Sequence, residues 1–199
     1  DDEGNWDANS RIRHPEPIAP CPPLVGRVFS ACENTMPHEV LLNFRAALPE
    51  DATTIRTLVR AAYAKWVPVI GREPKPMSAD YEHTVREHDF ALLCNGEEIA
   101  GLIETMTRED HVWIENVAVS PAHQGMGLGR RLLRHAEEIA EQCGLIKLSL
   151  LTNAAFEANV ILYEKLGYVV TRREPFLGGT ALYMSKTLED GTGKTGAPD

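Results

Sequence analysis

The sequence predicts an α/β fold in which strands and amphipathic helices alternate along one domain. Between residues 41 and 188, short apolar runs alternate with segments whose apolar residues recur every three to four positions. The dipeptide Asn95-Gly96 separates two strand-like runs and is typical of a tight hairpin turn. Gly144 and Gly167 each follow a helix-like segment and mark its end.

The individual elements follow from the same patterns. In the first helix, Ile55, Leu58 and Val59 share one face, and a proline-rich loop is expected at 67–77. Strands are predicted at 41–48, 90–95, 97–107, 111–120, 146–153, 168–174 and 180–188. The first helix is predicted after the lead-in Pro49-Glu50-Asp51 and up to about Trp66, and further helices at about 78–88, 126–142 and 154–166.

The two ends of the chain read differently from this central region. Residues 1–35 contain the proline-dense run HPEPIAPCPPL and predict a flexible arm. The small, polar residues 189–199 predict a disordered tail. The folded domain is therefore expected to span residues 36–188.

Composition restricts the class of partner. The formal net charge is −9, which argues against nucleic acid or an anionic membrane as the main partner. No apolar run approaches the roughly 20 residues of a membrane span. The four cysteines form no CxxC pair and none has a histidine at zinc spacing, so no metal site is predicted and a reducing cytoplasm is expected.

The stretch QGMGLGRRLL at 124–133 places three glycines at alternate positions just before a helix. Unpaired N–H groups at a helix start attract anions, and glycines allow a phosphate to approach the backbone closely. Arg130 and Arg131 add positive charge in the first turn, where acidic residues are normally favoured. An anion cradle accounts for all these features, whereas a tight turn with surface arginines remains the alternative.

Two common phosphate motifs do not fit this stretch. A P-loop requires a lysine followed by Ser or Thr, and that lysine is absent. A dinucleotide-binding fingerprint requires GxGxxG and an acidic residue about 20 positions later, and this chain has neither at those places.

The spacing Gln124-x-x-Gly127-x-Gly129 resembles the pyrophosphate-binding pattern of the GNAT superfamily of N-acetyltransferases. NVAVSPAHQGMGLGRRLL and LTNAAFEANVILYEKLGY are similar to the two segments with which that family holds acetyl-CoA. The resemblance extends from about Leu42 to Leu188. It implies a central mixed, mostly antiparallel sheet of six to seven strands flanked by about four helices, with strands 113–119 and 146–152 splayed apart.

The resemblance also implies a set of coenzyme-binding residues. The pantetheine arm would pair with strand backbone, and a main-chain N–H near Val117 or Ala118 would polarise the acetyl carbonyl. Asn153 and Asn159 both flank Phe156, which stands where many members have asparagine, so either could meet the pantetheine. The full set comprises Val117, Ala118, Val119, Gln124, Gly125, Met126, Gly127, Leu128, Gly129, Arg130, Asn153, Asn159 and Tyr163.

Three residues are candidates for proton transfer. Tyr163 matches the family tyrosine that faces the sulfur of the coenzyme, and a phenol can protonate the departing thiolate. Glu115 is the candidate base, because alternation within a strand would place it on the face of Val117 and burial would raise its pKa. Glu104 on the preceding strand is the rival.

Acceptor selection is expected from the first helices and the loop between them, with Tyr63, Trp66, Asp80, Tyr81 and Glu104 as candidates. Aromatic core packing and a helix-capping aspartate are the structural alternatives. The resulting hypothesis is transfer of acetyl from acetyl-CoA to a primary amine of a small molecule, amino acid or protein, by direct attack. The competing hypothesis is a non-catalytic acyl-CoA sensor on the same fold, and a homodimer is possible in either case.

Overall fold

A seven-stranded sheet forms the centre of the computed structural model, which describes residues 42–189. The strand order is β1-β2-β3-β4-β5-β7-β6, and only β4 and β5 pair in parallel. This topology confirms the expected fold class. The strands are β1 Leu42–Ala46, β2 Asp89–Asn95, β3 Glu98–Thr107, β4 Val112–Val119, β5 Lys147–Asn153, β6 Val169–Phe176 and β7 Gly179–Thr187. The predicted arm at 1–35 and nearly all of the predicted tail at 189–199 lie outside the described residues.

Helices cover the two faces of the sheet. Their bounds are α1 Ala52–Tyr63, α2 Val67–Ile70, α3 Tyr81–Glu87, α4 Leu128–Gln142 and α5 Glu157–Lys165. Side chains of α1 and α3 pack with Leu92, Leu102 and Ala118 on one face, while α4 and α5 pack with Leu93 and Ile103 on the other. Among the described residues, no helix is long and apolar enough to cross a membrane.

Two predicted boundaries were wrong for local reasons. The loop predicted at 67–77 contains the one-turn helix α2, which tolerates Pro68 because a proline in a first turn leaves no helical hydrogen bond unmade. The helix predicted from 126 begins at Leu128, because Gly127 adopts a left-handed backbone with φ 78° and serves as its N-cap.

The parallel strands β4 and β5 separate along their length, as expected. They pair only where Val112, Trp113 and Ile114 face Leu148, Ser149 and Leu150. Beyond this point β5 continues to pair with β7, while β4 continues to pair with β3. The gap between the two strands therefore opens toward the carboxyl end of β4.

A β-bulge interrupts β4 just before the gap. Thr105 on β3 pairs with Ile114, but Glu104 pairs with Asn116, so Glu115 is an extra residue on β4. As a result Ile114 and Val117, three residues apart, both pack toward the α4 face. A regular strand would have placed Glu115 together with Val117.

Candidate functional site

A cavity of about 410 Å³ lies where β4 and β5 separate. Four chain segments form its wall: the end of α1 with the turn that follows it, the carboxyl end of β4, the glycine loop with the start of α4, and α5. The lining residues are Ala62, Tyr63, Lys65, Trp66, Val117, Ala118, Val119, His123, Gln124, Gly125, Gly127, Leu128, Gly129, Arg130, Ala158, Asn159, Leu162 and Tyr163. The fold thus brings together residues that the sequence separates by a hundred positions.

The glycine loop presents bare backbone to this cavity. Gly125 and Gly127 have φ values of 81° and 78°, a conformation that favours glycine. A Cβ atom built on either residue would meet no atom within 4 Å, so the space beside the backbone is open. Gly127 provides no side-chain cap for α4, and the first N–H groups of a helix have no partner within it. The α4 start therefore offers donors to an anion.

Gln124 connects the glycine loop to both sides of the cavity. Its Nε2 donates to the carbonyl oxygen of Val119 over 3.0 Å, and its Oε1 accepts from Lys65 Nζ over 2.8 Å. Lys65 and Arg130 thus bring two cationic side chains to the cavity wall. Sequence reasoning missed Lys65, since it lies 59 positions from Gln124 and no local pattern marks it. Met126 is 57% exposed and does not line the cavity.

Tyr163 on α5 lines the opposite side of the cavity and is almost fully buried. Its ring makes an edge contact with Tyr168, with centroids 6.0 Å apart. Burial raises the pKa of Tyr163 to about 12. The phenol therefore keeps its proton at neutral pH and can donate it.

The structure separates the two asparagines that flank Phe156. Asn159 lines the cavity, whereas Asn153 Oδ1 accepts a hydrogen bond from the backbone N–H of Ala155 over 2.9 Å and stabilises the turn before α5. Phe156 is buried and stacks on Trp66. Asn159, rather than Asn153, is in a position to contact a ligand in the cavity.

Glu115 does not lie where the alternation of a regular strand would place it, because it is the extra residue of the β4 bulge. Glu115 is exposed, does not line the cavity, and accepts a hydrogen bond from Trp113 Nε1 over 2.7 Å. It therefore lacks the burial on which its expected role depended. The cause is the extra residue in β4, which turns Glu115 away from the face of Val117.

Glu104, the rival carboxylate, is only 4% exposed and pairs with His88 Nδ1 at 2.5 Å. Burial raises the pKa of Glu104, and hydrogen bonding to His88 opposes this effect. The same hydrogen bond raises the pKa of His88. Glu104 does not line the cavity, but it is the cross-strand partner of Asn116.

The remaining acceptor candidates occupy different positions. Tyr63 and Trp66 line the cavity. Asp80 caps α3 by accepting from the N–H of His83, and Tyr81 is fully buried. Tyr81 nevertheless reaches the site through Asn116, whose Oδ1 accepts from the Tyr63 hydroxyl over 2.8 Å and whose Nδ2 donates to the Tyr81 hydroxyl over 3.2 Å.

Comparison with known proteins identifies the family. The model of the acetyltransferase (GNAT) family matches residues 55–168, which include most of α1, the glycine loop and α5. The chain belongs to this family. The GNAT family binds acetyl-CoA, and the uncapped start of α4 beside two cationic side chains fits the diphosphate of that coenzyme. Within residues 42–189, no group of three or more His, Cys, Asp or Glu side chains could hold a metal ion.

Individual relatives match shorter parts of the chain. The [ribosomal protein bS18]-alanine N-acetyltransferase of Escherichia coli (strain K12) is 39% identical over 80 residues, which is 40% of this chain and 53% of the relative. The L-amino acid N-acyltransferase MnaT of the same organism is 37% identical over 68 residues, 34% of this chain and 40% of the relative. The chain thus aligns with about half, or less, of the length of these relatives.

Solved structures support the fold over a greater length. The PaiA N-acetyltransferase from Thermoplasma acidophilum, solved in complex with coenzyme A, superimposes with a TM-score of 0.62. The match covers 73% of this chain and 98% of that one, at 17% identity. At this level of identity, the likeness demonstrates a common fold.

Proposed function

We propose that the protein is an acetyl-CoA-dependent N-acetyltransferase that acts on a primary amine. One observation carries this proposal: a single cavity at the splayed strands joins the uncapped start of α4 to the buried side chain of Tyr163. A coenzyme whose diphosphate lies on the glycine loop would extend its thioester arm between β4 and β5, toward Tyr163.

When bound, acetyl-CoA would supply an activated acetyl group as a thioester. The backbone N–H groups of Gly125 to Gly129 would bind the diphosphate, and the side chains of Lys65 and Arg130 would add cationic charge. Beyond Ile114, the edge of β4 that faces β5 lacks a partner strand, so its amides near Val117 and Ala118 are available to pantetheine and to the acetyl carbonyl oxygen.

Tyr163 would then hold the proton that the leaving sulfur requires. A thiol has an ordinary pKa near 8.5, so its thiolate is a moderate leaving group, and a hydrogen bond from the neutral phenol would stabilise it as the carbon–sulfur bond breaks. The attacking amine must first be neutral, and a lysine-like amine has an ordinary pKa near 10.4. Because Glu104 and Glu115 do not line the cavity, either one would accept the amine proton only through water.

The acceptor that we propose to test first is an α-amine. The two relatives described above are named for an alanine of a ribosomal protein and for L-amino acids. We therefore propose either a free amino acid or a protein amino terminus as the acceptor class. The overall net charge of −9 is compatible with a cationic amine.

The test combines a binding measurement with a turnover measurement. Calorimetric titration with acetyl-CoA measures coenzyme affinity, and thiol release with the twenty L-amino acids and an alanine-terminated hexapeptide measures transfer. We expect binding together with amine-dependent thiol release. Binding without release on any amine would favour the acyl-CoA sensor, and absence of binding would overturn both hypotheses.

A further inference from the structure

Tyr63 reaches the cavity as the end of a directional hydrogen-bond chain. The Tyr81 hydroxyl donates to the carbonyl oxygen of Pro76 over 2.8 Å. Asn116 Nδ2 donates to Tyr81 over 3.2 Å, and the Tyr63 hydroxyl donates to Asn116 Oδ1 over 2.8 Å. One series of hydrogen bonds thus connects Tyr63 of α1, Asn116 of β4, Tyr81 of α3 and Pro76 in the turn before α3.

The direction of this hydrogen-bond chain is determined at Pro76. A backbone carbonyl can only accept, so the single proton of the Tyr81 hydroxyl is committed to Pro76. The Tyr81 oxygen must then accept from the amide nitrogen of Asn116, which turns the amide oxygen toward Tyr63.

The consequence appears at the Tyr63 hydroxyl, which has one proton. That proton is committed to Asn116, and the hydroxyl's other neighbour, the carbonyl oxygen of Val117 at 3.5 Å, is also an acceptor. Tyr63 and Val117 both line the cavity. The lone pairs of Tyr63 are therefore what this hydroxyl offers to a molecule in the cavity.

The surroundings prevent Tyr63 from acting as a base. Burial is the main cause that raises the pKa of Tyr63 well above its ordinary value, and the nearby Tyr163, Tyr81, Glu104 and Glu115 groups contribute in the same direction. The hydroxyl therefore stays protonated at physiological pH. It can accept a hydrogen bond but cannot remove a proton.

We propose that Tyr63 is the group that receives the acceptor amine, through a hydrogen bond from an amine N–H to the Tyr63 oxygen, and that Asn116 is the positioning residue that orients it. This inference rests on the proposed acetyltransferase function. An N–H held at Tyr63, beside Val117, would leave the nitrogen lone pair free to face the acetyl carbonyl. The site would thereby select nitrogen nucleophiles that retain an N–H.

Two coenzyme analogues test this proposal without knowledge of the natural acceptor. One is S-carboxymethyl-CoA N-methylamide, which presents an N–H where the amine would lie. The other is the matching methyl ester, which presents an oxygen at the same position. We expect the wild type to bind the amide more tightly than the ester, and Tyr63→Phe to lower this preference about fivefold, the value of one neutral hydrogen bond.

Two further variants distinguish orientation from packing. Asn116→Leu keeps the Tyr63 hydroxyl but removes the acceptor of its proton, so the hydroxyl is no longer oriented. The preference for the amide over the ester should then fall as it does in Tyr63→Phe, with acetyl-CoA affinity retained. Tyr183→Phe is the matched control, because it removes a hydroxyl that lies on β7 outside the cavity. It should keep the wild-type preference.

The outcomes separate this inference from the function on which it rests. Equal affinities for amide and ester in the wild type, or loss of both analogues while acetyl-CoA still binds, overturn the role of Tyr63. A preference that survives in Tyr63→Phe also overturns it. Failure of acetyl-CoA itself to bind overturns the proposed function instead.

Discussion

The indole ring of Trp66 stacks on the phenyl ring of Phe156, with centroids 4.6 Å apart and planes inclined by 24°. Trp66 ends the turn after α1, and Phe156 immediately precedes α5. The stack thus connects two of the segments that form the cavity wall. The Phe156 side chain is therefore buried against Trp66.

We expect a measurable energetic coupling between these two rings. Stacked aromatic pairs contribute about 0.5–1.5 kcal/mol beyond the burial of their surface. A double-mutant cycle of Trp66→Leu and Phe156→Leu, followed by urea unfolding, should show an interaction free energy in this range. Strictly additive losses would mean that the stack contributes nothing specific.

The glycine loop leads to a prediction that separates strain from ligand contact. Gly127 and Gly96 both have a left-handed backbone, and a Cβ on either meets no atom within 4 Å. An aspartate at each position should cost about 1–2 kcal/mol of stability through backbone strain alone. Only Gly127→Asp should also weaken acetyl-CoA binding, by about tenfold or more, because its carboxylate would face the diphosphate.

Calorimetric titration of the two variants provides the measurement, and Gly96→Asp in the β2–β3 turn is the control. Equal affinities for acetyl-CoA in both folded variants would show that the diphosphate does not bind beside Gly127.

The parts of the fold that depend on local patterns could be predicted from the sequence. The apolar stripe of α4 is an example, since Leu132, Leu133 and Ala136 are all fully buried. The β2–β3 hairpin is another, because a tight turn depends on the residues within it, although the two turn residues are Gly96 and Glu97, one position later than predicted. Burial periodicity and turn chemistry are encoded within a few neighbouring residues, so one sequence suffices to detect them.

The parts of the site that depend on pairing between distant segments could not be predicted. The bulge at Glu115 exists only in relation to β3, and a period-two argument assumes an unbroken ladder. The contact between Lys65 and Gln124 and the chain from Tyr63 to Pro76 likewise join distant segments. Residue types identified the candidates, but only the fold specified which of them meet.

Tyr163 provides a prediction about proton donation. Tyr163→Phe should lower kcat by about 100-fold, the effect typical of a general acid, and should change acetyl-CoA affinity little. Because the pKa of Tyr163 is raised to about 12, the wild-type pH profile should show no loss of this proton below about pH 11. Steady-state thiol release across pH measures both effects.

A second tyrosine gives the matched control. The Tyr168 hydroxyl is buried and has no hydrogen-bond partner in the part of the chain that the structure describes. Tyr168→Phe should therefore preserve kcat. If both variants lose activity equally, the effect of Tyr163→Phe is one of packing.

The pair formed by Glu104 and His88 predicts a stability that falls as pH rises. The pKa of His88 is raised by its hydrogen bond to Glu104, and the pKa of Glu104 is raised by burial. Both groups therefore bind protons more tightly in the folded state. Their stabilisation is complete below the unfolded pKa values, near 4.5 for Glu104 and 6.5 for His88, and is lost as pH rises through the folded values.

Glu104→Gln removes both causes of this dependence, because the amide does not titrate and His88 loses its anionic partner. Unfolding free energies should be measured by urea denaturation between pH 5 and 8.5. We expect the wild type to lose stability relative to Glu104→Gln as pH rises, by at most about 1.4 kcal/mol per pH unit for each proton involved. Glu174→Gln removes a surface carboxylate paired with Arg172. Its unfolding free energy should change with pH in parallel with that of the wild type. If Glu104→Gln also runs parallel, the Glu104–His88 pair contributes nothing to the pH dependence, because only a group that binds protons differently in the two states can make the curves diverge.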